Sequence, residues 1–290
     1  MTANKIGIIG GSGFYNIDGI KDVKKVKVAT PFGAASDEFV TGKIEGKEVV
    51  FLARHGRGHR ILPGEINYRA NIYGMKRLGV DEIISVSACG SLKEDLKPLD
   101  IVIPDQFIDR TNMARPMTFF GGGIVAHIPF AEPVCPHMSK ALAAAGRKCG
   151  AVIHAGGTYI NMEGPQFSTK AESKLYRSWD ADIIGMTNLA EAKLAREAEI
   201  CYATLACITD YDCWRIDEAC ESVTLEMIIN NLARNVKLSK DILKAVLPEL
   251  GRKRACVCAA ALKDSIVTRP EFIPPATKKK LKLIIGKYIK

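Results

Sequence analysis

The chain predicts an α/β fold, with helices flanking a largely parallel or mixed sheet in a single domain. Apolar runs of strand length alternate with stretches of helical periodicity. Five of those runs end in clusters of small or ionisable residues. No Pro/Gly/Ser-rich linker interrupts the alternation, and 290 residues suffice for one large domain. The expected division is a body over residues 1–250 and an extension over 251–290 packed on the same domain.

Residues 5–9 read as a short buried strand, followed by strands over 26–30, 38–44 and 47–53 with turns at Pro31-Phe32-Gly33 and Glu45-Gly46. Residues 63–78 read as a helix, because Pro63 starts it, Ile66, Ala70 and Tyr73 share a face, and Gly79 follows its end. Strands are expected over 83–88 and 100–104. Residues 110–123 show no period, the pattern of a flexible flap. An Ala-rich helix over 139–148 and an extended run over 152–162 follow. Capping boxes then mark two helix starts, Thr169 with Glu172 and Asn188 with Glu191. In the last long helix Leu225, Ile228, Ile229, Leu232, Val236 and Leu243 share a face, and Pro248 stops it.

Hydrophobic residues at 47% and charged residues at 25% fit a soluble globular enzyme. No uncharged apolar stretch reaches the ~18 residues that a membrane span needs. The first residues run straight into a strand without a signal-peptide layout, so a cytoplasmic location is expected. The net charge is +9, but six lysines follow the last acid, Glu271, and leave only +3 for the rest. The excess is therefore read as a solvated helix face or tail, not as a nucleic-acid or membrane surface.

Nine cysteines leave at least one unpaired within the chain. Cys256-Val257-Cys258 is too closely spaced for the usual zinc pair and has no second Cys/His pair near it in sequence, so no metal is expected. Two readings stay open: inert buried thiols, or disulfides of the kind found inside thermophiles.

The chemistry concentrates at the ends of the five apolar runs, where open α/β sheets bind ligands. Gly10-Gly11-Ser12-Gly13 can bring backbone N–H groups and one hydroxyl close to an anion. It lacks the third glycine of a dinucleotide fingerprint, Asn16 standing there, and has no Walker lysine. Residues 54–60 hold Arg54, Arg57 and Arg60 with His55 and His59 and no acid, which suits a phosphate. Ser87-Ala88-Cys89-Gly90-Ser91 adds a hydroxyl among small residues, and Glu163-Gly164-Pro165-Gln166-Phe167-Ser168 an aromatic platform. Asp210 and Asp212 follow an uncharged run of ten residues. Burial and a like-charged neighbour both raise a carboxyl pKa, so one acid can stay protonated. A protonated acid beside an acceptor matches adenine, whose N7 accepts and whose N6 donates.

Together with Asn67-Tyr68-Arg69-Ala70-Asn71-Ile72, Asp105-Gln106-Phe107-Ile108-Asp109-Arg110-Thr111 and Thr209-Asp210-Tyr211-Asp212-Cys213-Trp214, these motifs in this order resemble the trimeric branch of the purine nucleoside phosphorylase family. The resemblance covers the chain to about Leu250 and carries little of the final forty residues. It implies a single-domain nucleoside phosphorylase fold whose mixed central sheet is partly barrel-like. It also implies phosphorolysis of 5′-methylthioadenosine to adenine and 5-methylthioribose 1-phosphate, with phosphate as substrate and no cofactor. By that likeness Ser12, Arg54, His55, Ser87 and Thr187 hold phosphate. Ala88, Phe167, Ser168, Asp210 and Asp212 surround the base, and Met186 the ribose. Val223 and Met227 line the methylthio pocket, and His127 reaches in from a neighbouring subunit of a homotrimer or dimer of trimers. Asp210, with Asp212 beside it, is then the expected general acid. The cysteines near the end are reminiscent of heat-stable archaeal members.

Gly185 departs from relatives that carry Asn, which puts part of the ribose or base network in doubt. The competing readings are a phosphorylase for 6-oxopurine nucleosides or methylthioinosine, a nucleotide-binding module, and a polyanion binder acting through its tail.

Overall fold

The computed structural model describes residues 4–14, 19–112, 115–215, 225–251, 254 and 256–289, with the side chains of 225–229 outside that set. Its centre is four parallel strands: β1 (Lys5–Gly10), β4 (Lys47–Ala53), β5 (Val80–Ser91) and β11 (Cys201–Asp210). β1 lies between β4 and β5, and β11 pairs with the other side of β5. β3 (Phe39–Ile44) runs antiparallel to β4, and β2 (Lys21–Val26) forms the lysine-rich exposed edge.

The sheet forks at β5. On one side its residues 80–86 pair with β1 and then Gly90 and Ser91 pair antiparallel with β10 (Ile183–Gly185), while the other side pairs with β11 from Glu82 to Gly90. Beyond β10 lie β9 (Thr158–Met162) and β7 (Gln106–Arg110). Beyond β11 lie β6 (Ile101–Ile103) and β8 (Ile153–Ala155), completing a mixed sheet of 11 strands.

Helices cover both faces. α2 (Pro136–Lys148) and α5 (Leu225–Val246) bury Met138, Leu142, Ile242 and Leu243 against Ile6, Ile8 and Leu205. α1 (Tyr68–Arg77), α4 (Asn188–Glu197) and α6 (Pro275–Ile285) bury Ile72, Met75, Leu194, Leu281 and Ile284 against Ile9, Leu52 and Ile83. The alternation of Ile8 and Ile9 between these clusters is the period of two expected of a strand buried on both faces. α6 buries Leu281, Ile284 and Ile285 and exposes Lys279, Lys280 and Lys282. Among the described residues no helix is long and apolar enough to cross a membrane.

Several expected elements shift. The strand placed over 26–30 is β2, earlier in the chain, because a lysine-rich edge strand carries little apolar signal. The helix placed over 63–78 is a 3-10 turn, Pro63–Glu65, then a break, then α1, whose Ala70 N–H is capped by the Asn67 side chain at 3.1 Å. The run over 152–162 divides into β8 and β9 at Gly156 and Gly157, where φ is +92° and +121°. In residues 110–123, expected as a flap, Arg115 is only 2% exposed and bonds to Glu163, to the Met186 carbonyl and to the Tyr68 hydroxyl. Phe119 is buried as well, so the described part of this segment is anchored.

The first capping box forms, at the start of α3 (Lys170–Ser178): Thr169 Oγ1 accepts from Glu172 N–H, and Glu172 accepts from Thr169 N–H at 2.8 Å. The second does not. Thr187 precedes α4 without a side-chain cap, and Asn188 and Glu191 both turn into the core. A buried cation drew the glutamate away from the helix end.

Candidate active site

The ends of β1, β4, β5, β10 and β11 open onto one cavity of about 280 Å³. Ser12, Arg54, His55, Ser87, Ala88, Phe167, Met186, Thr187, Asp210 and Asp212 all line it. Ser168 stands just behind, its hydroxyl 3.8 Å from the sulfur of Met162, a lining residue. His127 does not line the cavity; it is exposed, and its N–H donates to the Ser265 carbonyl at 2.8 Å. Val223 lies outside the described residues, as does the side chain of Met227 on α5.

Glycines let the walls close in. A Cβ on Gly11 would stand 2.7 Å from Arg54 Nη1 and from the Val86 carbonyl, and one on Gly90 3.0 Å from Asp210 Oδ1. A Cβ on Gly185 would fall 1.9 Å from the Tyr159 hydroxyl. This explains the departure noted in the sequence: Tyr159 fills the space a side chain at 185 would need. Its hydroxyl bonds to Asn188 Oδ1 at 3.0 Å.

At the anion end the site rests on a buried ionic network. Arg54, 1% exposed, donates from Nε to Glu191 Oε1 at 2.5 Å, from Nη2 to Glu191 Oε2 and Ser85 Oγ, and from Nη1 to the Val86 carbonyl at 3.1 Å. Four of its five N–H groups are thus committed to protein, so Arg54 offers the cavity one donor and no bidentate fork. Burial opposes its charge, but Glu191 holds the guanidinium protonated, well above its ordinary range. Glu191 also accepts from Ser85 and Tyr202, while Asn188 Nδ2 donates to Tyr202 and Thr204. The basic loop contributes less than its composition indicated. Arg57 pairs with Asp37 at the surface, and Arg60 donates to the Arg57 carbonyl.

His55 is 6% exposed and stacks on His59 with ring centroids 4.4 Å apart. Its pKa is lowered to about 4 by burial and by the adjacent Arg54 charge. Nδ1 lies 2.8 Å from the Ile61 carbonyl, which can only accept. The neutral ring therefore carries its proton on Nδ1 and keeps the Nε2 lone pair as an acceptor.

At the other end, β11 finishes with a register shift between Ile208 and Asp210 that pairs Asp210 with Gly90. Such an irregularity re-aims a side chain at the end of a strand. Asp210 Oδ1 accepts from Asp212 N–H at 2.8 Å, and Oδ2 lies 2.6 Å from Thr209 Oγ1. The Thr209 hydroxyl also lies 3.2 Å from the Cys89 carbonyl. It carries one hydrogen; if it donates to Cys89, Asp210 can donate to it. Burial raises the Asp210 pKa, with the Asp212 charge adding to the effect against the two hydrogen bonds. Asp212 is 7% exposed and holds left-handed backbone, φ +52°, which turns the chain directly after the strand. Phe167, 67% exposed, edges the cavity and is no core residue.

Sequence reasoning missed Glu191, because i to i+3 spacing from Asn188 mimicked a capping box. Its signal was a charge in an otherwise apolar helix stripe. Leu62, Met162 and Leu232 also line the cavity and were not expected at the site, Leu232 reading in the sequence only as part of an apolar helix face.

The Phosphorylase superfamily model matches residues 5–248. Over 98% of its length the chain is 58% identical to a Geobacter sulfurreducens protein named S-methyl-5′-thioadenosine phosphorylase, covering 99% of that protein. Among solved structures it is similar to a methylthioadenosine phosphorylase from an antarctic soil metagenomic library, at 47% identity and TM-score 0.91, covering 98% of this chain and 99% of that one. It is also similar to Schistosoma mansoni methylthioadenosine phosphorylase in complex with adenine, at 38% identity and TM-score 0.84, covering 90% of this chain and 96% of that one.

Proposed function

The chain belongs to the phosphorylase superfamily, and from that premise we propose that it catalyses phosphorolysis of S-methyl-5′-thioadenosine, giving adenine and 5-methylthioribose 1-phosphate. One observation carries this reading: a half-buried carboxyl whose pKa is raised shares a single cavity with a charged guanidinium and the hydroxyls of Ser12, Ser87 and Thr187. A leaving purine and an attacking oxyanion need opposite chemistry, and the two ends of the cavity supply it.

Phosphate sits among Ser12, Ser87, Thr187, the free Nη1–H of Arg54 and His55. Hydroxyls and one charged donor bind an oxyanion without a metal, so no cofactor is required. HPO4²⁻ brings one proton of its own, and its P–OH donates to the Nε2 lone pair of His55. As the C1′–N9 bond breaks, its electron pair enters the purine ring, and Asp210 delivers its proton to N7. Positive charge gathers on the ribose and is stabilised by the phosphate dianion, which then closes the new C1′–O bond. Asp212 accepts from the 6-amino group, Ala88 and Phe167 with Ser168 flank the base, and Met186 lies under the ribose. Leu232 joins Val223 and Met227 around the methylthio group.

The enzyme works as a homotrimer, alone or paired into a hexamer, in which His127 of one subunit reaches the site of the next. Exposure of His127 in the single chain supports this. We place it in the cytoplasm, with no nucleic-acid or membrane partner; the lysines of α6 on a solvated face accord with that reading. Phosphate-dependent release of adenine from S-methyl-5′-thioadenosine is the test. No release of adenine with phosphate in excess, or release of hypoxanthine from inosine alone, would overturn the assignment.

A further inference from the structure

Away from the active site the fold assembles a cluster of soft ligands. Cys135 stands at the start of α2, Cys201 opens β11, and Cys256 and Cys258 flank Val257 at the 3-10 turn Val257–Ala260. Their four sulfurs all lie within 4.8 Å of one another, with Cys201 and Cys256 at 3.3 Å. None of the four lines the catalytic cavity. We propose that these cysteines form a tetrahedral structural site for zinc that fastens the C-terminal extension to the body of the domain.

A zinc ion with four thiolates at ~2.3 Å has sulfur–sulfur edges of about 3.8 Å, the scale of this cluster. The sulfurs form one compact tetrad and not two separated pairs, since Cys201 approaches Cys256 from a different element. All four donors are thiols with no carboxylate among them, which selects zinc over magnesium or calcium. Four protein ligands leave no open coordination position, the mark of a structural site. Cys135, Cys201 and Cys258 are buried, and Cys256 is partly exposed and gives the metal its way in.

Charge fits as well. A zinc tetrathiolate carries a net charge of about −2, costly to bury alone. Arg254 lies beside Cys201 and within electrostatic reach of Cys256, and Arg196 is within electrostatic reach of Cys258. Both guanidinium groups are held in place: Arg254 donates to the Glu199 carbonyl at 2.7 Å and to Asp81, and Arg196 to the Glu132 carbonyl at 2.5 Å. The spacing of Cys256 and Cys258 excluded a zinc pair only while ligands were sought nearby in sequence. Here the other two come from a helix start and a strand start far upstream. Binding converts four thiols and one zinc ion into the tetrathiolate and four protons, with no change of oxidation state.

The full chain, purified under anaerobic reducing conditions without chelator, should carry ~1 zinc per chain by elemental analysis. After acid and chelator stripping, cobalt(II) titration should give thiolate-to-metal charge-transfer bands and tetrahedral d–d bands that saturate at ~1 equivalent. Cys256→Ser and Cys258→Ser should each lose those bands, while Cys149→Ser keeps them. Retained phosphorolysis by the Cys256→Ser protein would show that it is folded. Metal-free protein without sulfur-to-cobalt bands overturns the proposal. So does metal that persists in both ligand variants, or peptide mapping that finds the four cysteines in disulfides before any oxidant is added.

Discussion

Asp210→Asn exchanges one oxygen for nitrogen in a group of the same shape. Asn Oδ1 can still accept from Asp212 N–H, the bond now 2.8 Å long, and Nδ2 can donate to the Thr209 hydroxyl, now 2.6 Å from Asp210 Oδ2. Thr209 then donates to the Cys89 carbonyl at 3.2 Å. Every hydrogen bond survives, so folding stability should change by no more than about 1 kcal/mol. What disappears is the transferable proton. A positioned general acid is worth ~10²–10⁴ in rate, or about 2.7–5.4 kcal/mol of barrier. We expect kcat for S-methyl-5′-thioadenosine to fall by that factor with KM little changed, read as adenine released per second under saturating phosphate. The residual rate on inosine should fall much less, because an amide that donates to N7 serves a 6-oxopurine. The pH profile provides a second readout. Burial raises the Asp210 pKa, so the acid form persists to higher pH than in a free carboxyl, and wild-type rate declines as pH rises through the shifted value. The variant should lack that decline. Equal losses on both nucleosides, or an unchanged alkaline limb, would refute the assignment of Asp210.

Three further outcomes follow from the geometry. Glu191→Gln leaves the Arg54 charge buried without its counterion, which should cost about 3–5 kcal/mol in a denaturant titration. Added phosphate should restore more stability to it than to wild type, since the anion becomes the counterion. Glu197 accepts from Thr118 Oγ1 and Phe119 N–H, yet burial outweighs both bonds and lifts its pKa from 4.5 to about 7. A folded-state pKa above the unfolded one gives stability that is complete below about 4.5 and lost as pH rises through about 7, at most about 3 kcal/mol. Thermal melts of Glu197→Gln across that window should show this dependence removed; parallel curves for variant and wild type would contradict it. Gly185→Ala drives a methyl to 1.9 Å from the Tyr159 hydroxyl, so it should destabilise by about 1–3 kcal/mol and lower activity by displacing Met186 and Thr187.

The strands at the centre of the sheet were legible because parallel strands buried on both faces read as unbroken apolar runs, as in Lys5–Gly10 and Cys201–Asp210. Their carboxyl ends carried the chemistry, and ten of the fourteen residues named for the site line one cavity. β2 escaped because an exposed lysine-rich edge has no burial pattern to display. The break before α1 escaped because Asn67 caps through a side-chain bond that apolar periodicity does not register.

Local pattern thus determined the order of elements, the positions of the loops and the residue types offered to a ligand, since backbone propensity and burial period act over a few residues. Tertiary structure decided which groups are charged, paired or free. Arg54 and Glu191 meet across 137 positions, and Cys201 and Cys256 across 55. Pairing energies and desolvation depend on distances through space, which spacing along the chain does not contain.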